Sequence, residues 1–162
     1  KDGAALAREM QYLIDHDIKE KGEYQFTSAL QNLSKKGAKF VPGQVEEWLD
    51  CGNKEVTVKT NQRYLEFISD QKLVSEKSTL INSVIIPPCF IGAGAHIETS
   101  VIGPHVSVGE KTRITDSRIK NSIIQKESTI QSAMLENSML GNFIIFEGST
   151  LDLSLGDFNK IS

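Results

Sequence analysis

The feature that most constrains the fold is a repeat of five or six residues between Ser78 and Leu151. Each repeat has a large apolar residue, with a small residue two positions before it. A short fixed period of this kind is typical of a solenoid, in which single turns cannot bury their apolar side without stacked neighbours. The large positions are Leu80, Ile85, Ile91, Ile97, Ile102, Val108, Ile114, Ile119, Ile124, Ile130, Leu135, Leu140, Phe146 and Leu151. The small positions are Ser78, Ser83, Cys89, Ala95, Ser100, Val106, Thr112, Ser117, Ser122, Ser128, Ala133, Ser138, Ile144 and Ser149, of which only Ile144 is bulky.

The spacing of the large residues also predicts the shape of one coil. Steps of six, six and five residues add to 17, so Ile85, Ile102 and Ile119 lie above one another. After Ile119 the steps shorten to five, six and five, which gives coils of 16. Three short strands per coil predict a triangular prism, with the large residues in the centre and the small ones where the chain turns a corner. Neither a helical period nor strict alternation describes this pattern.

Three stretches carry a resemblance to a known fold. The sequences IGAGAHI, VIGPHVSVGEKTRI and SIIQKESTI resemble the hexapeptide repeats of left-handed β-helices, which are attached to many sugar-nucleotide enzymes and built into many acyltransferases. The left hand comes from this resemblance, because crossovers between parallel strands are otherwise right-handed in about 98% of cases. We therefore expect residues 78–162 to form a left-handed β-helix.

Residues 1–70 are expected to hold helices and one strand. Apolar residues recur at helical spacing over residues 4–19, and Thr27 or Ser28 can cap a second helix. An extended segment is predicted over residues 38–48. Asn53 is a plausible N-cap for a third helix. The apolar face predicted for that helix consists of Val56, Tyr64, Leu65, Phe67 and Ile68.

A second resemblance covers nearly the whole chain. The run EWLDCGN over residues 47–53 resembles the Trp-Leu-Asp-x-Gly motif of sugar-1-phosphate nucleotidyltransferases, and GEYQFTSAL over residues 22–30 matches the segment that precedes it in those enzymes. The closing Leu155, Gly156 and Asp157 match as well. The resemblance is closest to glucose-1-phosphate thymidylyltransferase-like enzymes with a β-helix extension. It implies that residues 1–70 are the C-terminal part of a catalytic α/β domain, residues 71–77 a junction and residues 78–162 the β-helix.

The resemblance also implies a chemistry. The phosphate of a sugar 1-phosphate attacks the α-phosphorus of a nucleoside triphosphate and expels pyrophosphate, while Mg²⁺ held by carboxylates neutralises the phosphoryl charge. In the family the aspartate of the motif is a metal ligand, which predicts Asp50 as a Mg²⁺ ligand. By the same resemblance Trp48 would wall the site, Gly52 would let the backbone pass close to substrate, and Glu23 would lie near the sugar. Without the resemblance, Asp50 is an Asx turn and Glu23 a partner of a helix dipole.

Several parts of the family pattern are missing from this sequence. The glycine-rich nucleotide loop with its Thr-Arg, the first metal aspartate and the Glu-Lys-Pro sugar contact lie earlier in such enzymes. A single carboxylate without a phosphate-cradling loop cannot run the reaction. The chain also starts at Lys1 rather than at a methionine. We therefore expect a C-terminal fragment that is inactive alone, with the nucleoside triphosphate and sugar 1-phosphate as substrates of the whole enzyme.

Two other functions stay open. Left-handed β-helices also serve acyltransferases, in which a histidine acts as general base. His96 and His105 are the histidines of the repeat region, and the spacing predicts that both point outward on different faces. The other possibility is a non-catalytic module that assembles homo-oligomers through its flat faces.

Composition and charge limit the kinds of partner and compartment that we expect. A formal charge of -3 without a basic cluster argues against nucleic acid. No stretch approaches the roughly 18 apolar residues of a membrane span. Cys51 and Cys89 have no metal or redox spacing, and Cys89 takes a small inward position. A reduced cytoplasmic protein is the expectation.

Overall fold

The structure is a computed structural model that describes residues 3–148 and 154–161. The chain divides into two compact units, residues 1–47 and residues 48–162. The third helix thus belongs to the same unit as the repeat region. The domain bounds drawn from the family resemblance stay a prediction.

The first unit contains two helices that pack against each other, α1 (Gly3–Asp15) and α2 (Phe26–Lys35). Their buried contacts include Leu13, Ala29 and Leu33. The predicted capping of α2 by Thr27 or Ser28 is wrong. The helix starts one residue before Thr27, and Gln25 occupies the N-cap position without a side-chain capping bond.

The extended segment predicted over residues 38–48 is not a strand. Strand residues need a neighbour with which to exchange backbone hydrogen bonds, and the described part of the chain provides none for this segment. Its β-branched residues Val41 and Val45 are 85% and 68% exposed. The local residue types favoured a strand, but none of the described residues pairs with this segment.

The second unit begins with the loop that precedes α3 (Lys54–Phe67). The predicted N-cap is confirmed, because the Asn53 side chain accepts a hydrogen bond from the Val56 amide at 3.1 Å. The predicted apolar face is wrong in part. Val58 and Leu65 are the buried residues of α3, whereas Tyr64 and Phe67 are 55% and 54% exposed. The side of a helix that becomes buried depends on the surface it lies on, which the helix sequence does not specify.

Fifteen short strands follow in the described residues, and all their pairings are parallel. The strands are β1 (Thr79–Ile81), β2 (Val84–Ile85), β3 (Cys89–Ile91), β4 (His96–Glu98), β5 (Val101–Ile102), β6 (Val106–Val108), β7 (Arg113–Thr115), β8 (Arg118–Lys120), β9 (Ile123–Ile124), β10 (Thr129–Gln131), β11 (Met134–Glu136), β12 (Met139–Leu140), β13 (Ile145–Glu147), β14 (Ser154–Leu155) and β15 (Lys160–Ile161). They form three sheets, with the orders β1-β4-β7-β10-β13-β15, β2-β5-β8-β11 and β3-β6-β9-β12-β14. From β1 to β13 successive strands go to successive sheets, so the chain winds as a three-sided solenoid.

The predicted stacking of coils is confirmed. Ile85 pairs with Ile102, and Ile102 with Ile119, at the predicted separation of 17 residues. Ile119 then pairs with Leu135, which is the predicted shortening to 16. The large residues from Ile91 to Phe146 are at most 2% exposed and form one continuous core. Leu80, in the first coil, is 42% exposed because β1 is the end strand of its sheet. Ser149 and Leu151 lie outside the described residues.

The small positions have a second property that the repeat alone does not reveal. The Ser117 hydroxyl donates to the Thr115 carbonyl at 2.6 Å and accepts the Ala133 amide of the next coil at 3.1 Å. In the same way, Ser100 accepts the amide of Ser117 and Ser122 accepts the amide of Ser138, each from one coil later and at 3.0 Å. Hydroxyl groups therefore link coil to coil inside the solenoid.

Gly92, Gly103, Gly109 and Gly141 each directly follow a large position, and one interpretation is that glycine provides backbone freedom at a corner. Gly103, with φ +117°, fits this interpretation. Gly109 does not adopt a positive φ, and a Cβ there would lie 2.4 Å from the Lys126 amide nitrogen. At Gly109 the requirement is close approach of the neighbouring coil rather than an unusual backbone angle.

Candidate functional site

The loop before α3 brings three of the predicted site residues together. Asp50 is exposed, and its Oδ1 accepts the amide hydrogens of Cys51 at 2.7 Å and Gly52 at 3.1 Å. This is the hydrogen-bond pattern of an Asx turn. The Asp50 carbonyl oxygen accepts a hydrogen bond from the Thr60 hydroxyl on α3 at 2.5 Å. Side chain and main chain of Asp50 are thus both held within this unit.

The arrangement is compatible with a metal ligand. Both amide hydrogens go to Oδ1, so Oδ2 retains its capacity for a further partner, and carboxylate oxygen is the donor that Mg²⁺ prefers. Among residues 3–148 and 154–161, no group of three or more His, Cys, Asp or Glu side chains could hold a metal ion. Asp50 would therefore need ligands from water, substrate or residues elsewhere. Its role as a Mg²⁺ ligand stays a prediction.

Trp48 and Gly52 lie on the same loop as Asp50. Trp48 is 82% exposed, so its ring is available to a ligand. A Cβ at Gly52 would lie 3.4 Å from the Asp50 Oδ2. That distance is ordinary van der Waals contact, so the carboxylate itself does not require glycine at this position. Contact of either residue with substrate stays a prediction.

Glu23 belongs to the first unit. Its backbone pairs with that of Glu20 in a tight turn, at 2.9 and 3.1 Å, and its carboxylate accepts a hydrogen bond of 3.4 Å from the Gln25 side chain. Glu23 is exposed and lies three residues before the start of α2. The predicted role near the sugar is not tested by this geometry.

A polar cluster adjoins the Glu23 turn. The Tyr24 hydroxyl donates to Asp17 at 2.7 Å, and Lys19 approaches the same carboxylate at 2.6 Å. Lys19 and then Tyr24 lower the pKa of Asp17 below its usual value. All three groups are exposed to solvent, so this cluster orders the turn more than it stabilises the fold.

The two histidines of the solenoid occupy different kinds of position. His96 lies on β4 and contacts Glu98 at 3.2 Å. His105 follows β5 at a corner with φ 58°, and its ring contacts Glu66 of α3 at 3.4 Å and Asn121 at 3.3 Å. Each ring is occupied by its own local partners.

A shallow groove of about 430 Å³ lies on the sheet β2-β5-β8-β11. Its lining combines apolar residues such as Ile86 and Met134 with Arg118, Lys120 and Glu136. Val84 on the same sheet is 56% exposed. This face therefore presents apolar side chains together with charged ones.

Sequence reasoning missed the contacts that hold the Asp50 loop. Thr60 lies ten residues after Asp50, and nothing in the residue pattern of α3 distinguishes it from Thr57. The hydrogen bond from Ser107 of β6 to Asn61 of α3, at 2.7 Å, joins residues 46 positions apart and likewise could not be predicted from the sequence.

Comparison with known proteins identifies the type of repeat and two proteins of similar sequence. A family model described as "GlmU-like, C-terminal hexapeptide" matches residues 56–134. The solenoid is a hexapeptide-repeat β-helix. The chain is 34% identical to a glucose-1-phosphate thymidylyltransferase of Streptomyces antibioticus, over 87% of this chain and 46% of that protein. It is 29% identical to a glucose-1-phosphate thymidylyltransferase of Streptomyces griseus, over 76% of this chain and 39% of that protein.

These similarities confirm two predictions. The fold class predicted for the repeat region, a left-handed β-helix of hexapeptide repeats, is confirmed. The resemblance to glucose-1-phosphate thymidylyltransferases is confirmed as well. The chain spans less than half the length of these relatives. In the described part of the chain, no helix is long and apolar enough to cross a membrane.

Proposed function

We propose that this chain is the C-terminal part of an enzyme that transfers a nucleotidyl group from a nucleoside triphosphate to a sugar 1-phosphate. The observation that carries the proposal is the exposed Asp50 carboxylate, held on a Trp-Leu-Asp-x-Gly loop directly before α3 and the β-helix. The similarity to two glucose-1-phosphate thymidylyltransferases supports the same order of motif and solenoid.

The residues of this chain have specific roles in the proposal. Mg²⁺, when bound, neutralises charge on the phosphoryl oxygens of the nucleotide. Asp50 would hold the metal through its carboxylate, whose Oδ1 also accepts the two amides of the loop. Trp48 walls the substrate site, and Gly52 lets the backbone pass close to substrate. Glu23 lies near the sugar.

The phosphate-cradling part of the enzyme is supplied outside this chain. The sequence contains the late motif and the β-helix but no glycine-rich nucleotide loop with a Thr-Arg pair. We therefore propose that this chain alone does not turn over substrate. The intact enzyme acts in the cytoplasm, and its nucleotide and sugar are selected by residues outside residues 1–162.

The experiment is a pyrophosphate-release assay of the intact protein that carries this chain. Several nucleoside triphosphates are each combined with several sugar 1-phosphates, with and without Mg²⁺. We expect Mg²⁺-dependent release for at least one pair, and no release from the 162-residue chain alone. Absence of release for every pair, or transfer of an acetyl group from acetyl-coenzyme A by the β-helix, would contradict the proposal.

We also propose that the β-helix assembles the protein into a homo-oligomer through the sheet β2-β5-β8-β11. The supporting observation is that Val84 and Met134 on this sheet, and Ile86 directly after β2, are 56%, 50% and 40% exposed. The test is molar mass by light scattering over a range of concentrations. We expect an oligomer that Val84→Glu dissociates, whereas Val41→Glu, at another exposed valine, leaves it intact. A monomer at all concentrations would contradict this.

A further inference from the structure

The position of the Asp50 loop depends on α3. The two amide bonds to Oδ1 fix the carboxylate relative to Cys51 and Gly52, but both are local to the loop. The Thr60 hydroxyl contacts the Asp50 carbonyl from ten residues away at 2.5 Å. This bond ties the main chain of Asp50 to the helix, so the loop cannot move away from α3 without breaking it.

The helix is in turn fixed to the β-helix. Val58 and Leu65 lie two helical turns apart on one side of α3 and are 3% and 2% exposed. The Ser107 hydroxyl, at the centre of β6, donates to the Asn61 carboxamide oxygen at 2.7 Å. Further along the helix, Glu66 contacts the ring of His105 at 3.4 Å. Apolar burial and two polar contacts thus hold the helix on the solenoid.

The point of attachment on the solenoid is rigid. Ser107 lies between Val106 and Val108, which are both 0% exposed and belong to the continuous core. The outward side chain of Ser107 therefore has a position set by the stacked coils. Thr60 and Asn61 are consecutive residues of one helix, about 1.5 Å apart along its axis. The Ser107–Asn61 contact and the Thr60–Asp50 contact are therefore connected only through helix α3.

We propose that Thr60 and Ser107 are positioning residues for Asp50, through which the β-helix sets the place of the metal-binding carboxylate. The catalytic part of this inference rests on the proposed function. The connection from Ser107 through α3 to Asp50 lies within this unit and does not depend on that function. A displacement of about 1 Å at a catalytic group can cost about a hundredfold in rate, so such a link has consequences for turnover. The solenoid is then part of the device that orders the site.

The first test is millisecond hydrogen–deuterium exchange, read by mass spectrometry, on the peptide that covers residues 48–53 in the intact protein. Thr60→Val removes the hydroxyl and keeps the shape of the side chain. We expect exchange in this peptide to accelerate roughly twofold to tenfold, the range that corresponds to the loss of one hydrogen bond. Ser107→Ala accelerates the same peptide, although that substitution is on β6.

Two variants serve as controls. Thr60→Ser keeps the hydroxyl and restores slow exchange. Thr57→Val removes a hydroxyl from the same helix that donates to the Asn53 carbonyl at 2.7 Å, and this carbonyl retains the Thr57 amide at 3.0 Å. It leaves exchange of residues 48–53 unchanged. Peptides from β7 and β8 report whether a variant has loosened the whole solenoid.

The second test is Mg²⁺ dependence in the pyrophosphate assay. Thr60→Val and Ser107→Ala raise the Mg²⁺ concentration that gives half-maximal rate, and Thr60→Ser restores it. Unchanged exchange in either Thr60→Val or Ser107→Ala overturns the inference, whether or not pyrophosphate is released. Because the exchange assay contains no nucleotide or metal, its result is separate from the test of the proposed function.

Discussion

Replacement of Ser117 by alanine tests whether the small residues of the repeat act through their hydroxyl groups. Alanine fits sterically, because Ala95 and Ala133 occupy equivalent positions and are 1% exposed. The change removes the hydroxyl that accepts the Ala133 amide at 3.1 Å and donates to the Thr115 carbonyl at 2.6 Å. The Thr115 carbonyl keeps a second donor, the Ser132 amide at 3.1 Å.

The magnitude follows from the group that loses its partner. The Ala133 amide lies inside the solenoid, where water cannot replace the Ser117 hydroxyl. A buried donor without a partner costs about 1–3 kcal/mol, so Ser117→Ala is expected to lower the free energy of unfolding by that amount. Urea unfolding followed by circular dichroism measures the change, with the slope of the transition compared between variants.

The control is Ser34→Ala on the exposed side of α2, where a surface substitution changes the free energy of unfolding by at most about 0.5 kcal/mol. If Ser117→Ala costs no more than Ser34→Ala, the hydroxyl groups do not stabilise the stack. Small size alone would then account for the residue type.

Three further predictions concern the packing of the second unit. Ile119→Ala, at a fully buried central position, is expected to lower the free energy of unfolding by about 2–5 kcal/mol in urea titrations, and a loss below 1 kcal/mol would contradict a packed core. Gly103 has φ +117°, and Gly103→Ala would place a Cβ 2.0 Å from a carbonyl oxygen of the neighbouring coil. We therefore expect no folded protein by circular dichroism. A stable variant would refute this packing. Cys51 is exposed and Cys89 is buried, and burial raises the pKa of the Cys89 thiol. A thiol reagent should therefore modify one cysteine in the native protein and both in urea. Rapid modification of both cysteines in the native protein would contradict the burial of Cys89.

The solenoid could be predicted from the sequence because each coil repeats the same requirement. A large residue every five or six positions specifies both the strand and its inward face, and the step sizes predict the register from Ile85 through Ile102 to Ile119. The capping of α3 by Asn53 was also predictable, since it depends on residues next to each other in the chain. In each case local chemistry and the final fold agree.

The failures share a different physical cause. The segment over residues 38–48 has strand-like residues but forms no strand, because strand formation depends on a partner far away in sequence. Tyr64 and Phe67 were expected to be inside, but the buried stripe of α3 is determined by the surface of the β-helix beneath it. Thr60, likewise, gains its significance from a contact that only the folded chain creates.

The proposed role of Asp50 is tested most directly by Asp50→Asn in the intact protein. The amide oxygen of asparagine can still accept the hydrogen bonds of Cys51 and Gly52, so the turn is retained while the charge is lost. We expect Mg²⁺-dependent pyrophosphate release to fall at least about a hundredfold, because metal stabilisation of phosphoryl charge contributes several kcal/mol. Asp70→Asn, at an exposed aspartate beyond α3, should release pyrophosphate at the normal rate. Full activity of Asp50→Asn would contradict its assignment as a metal ligand.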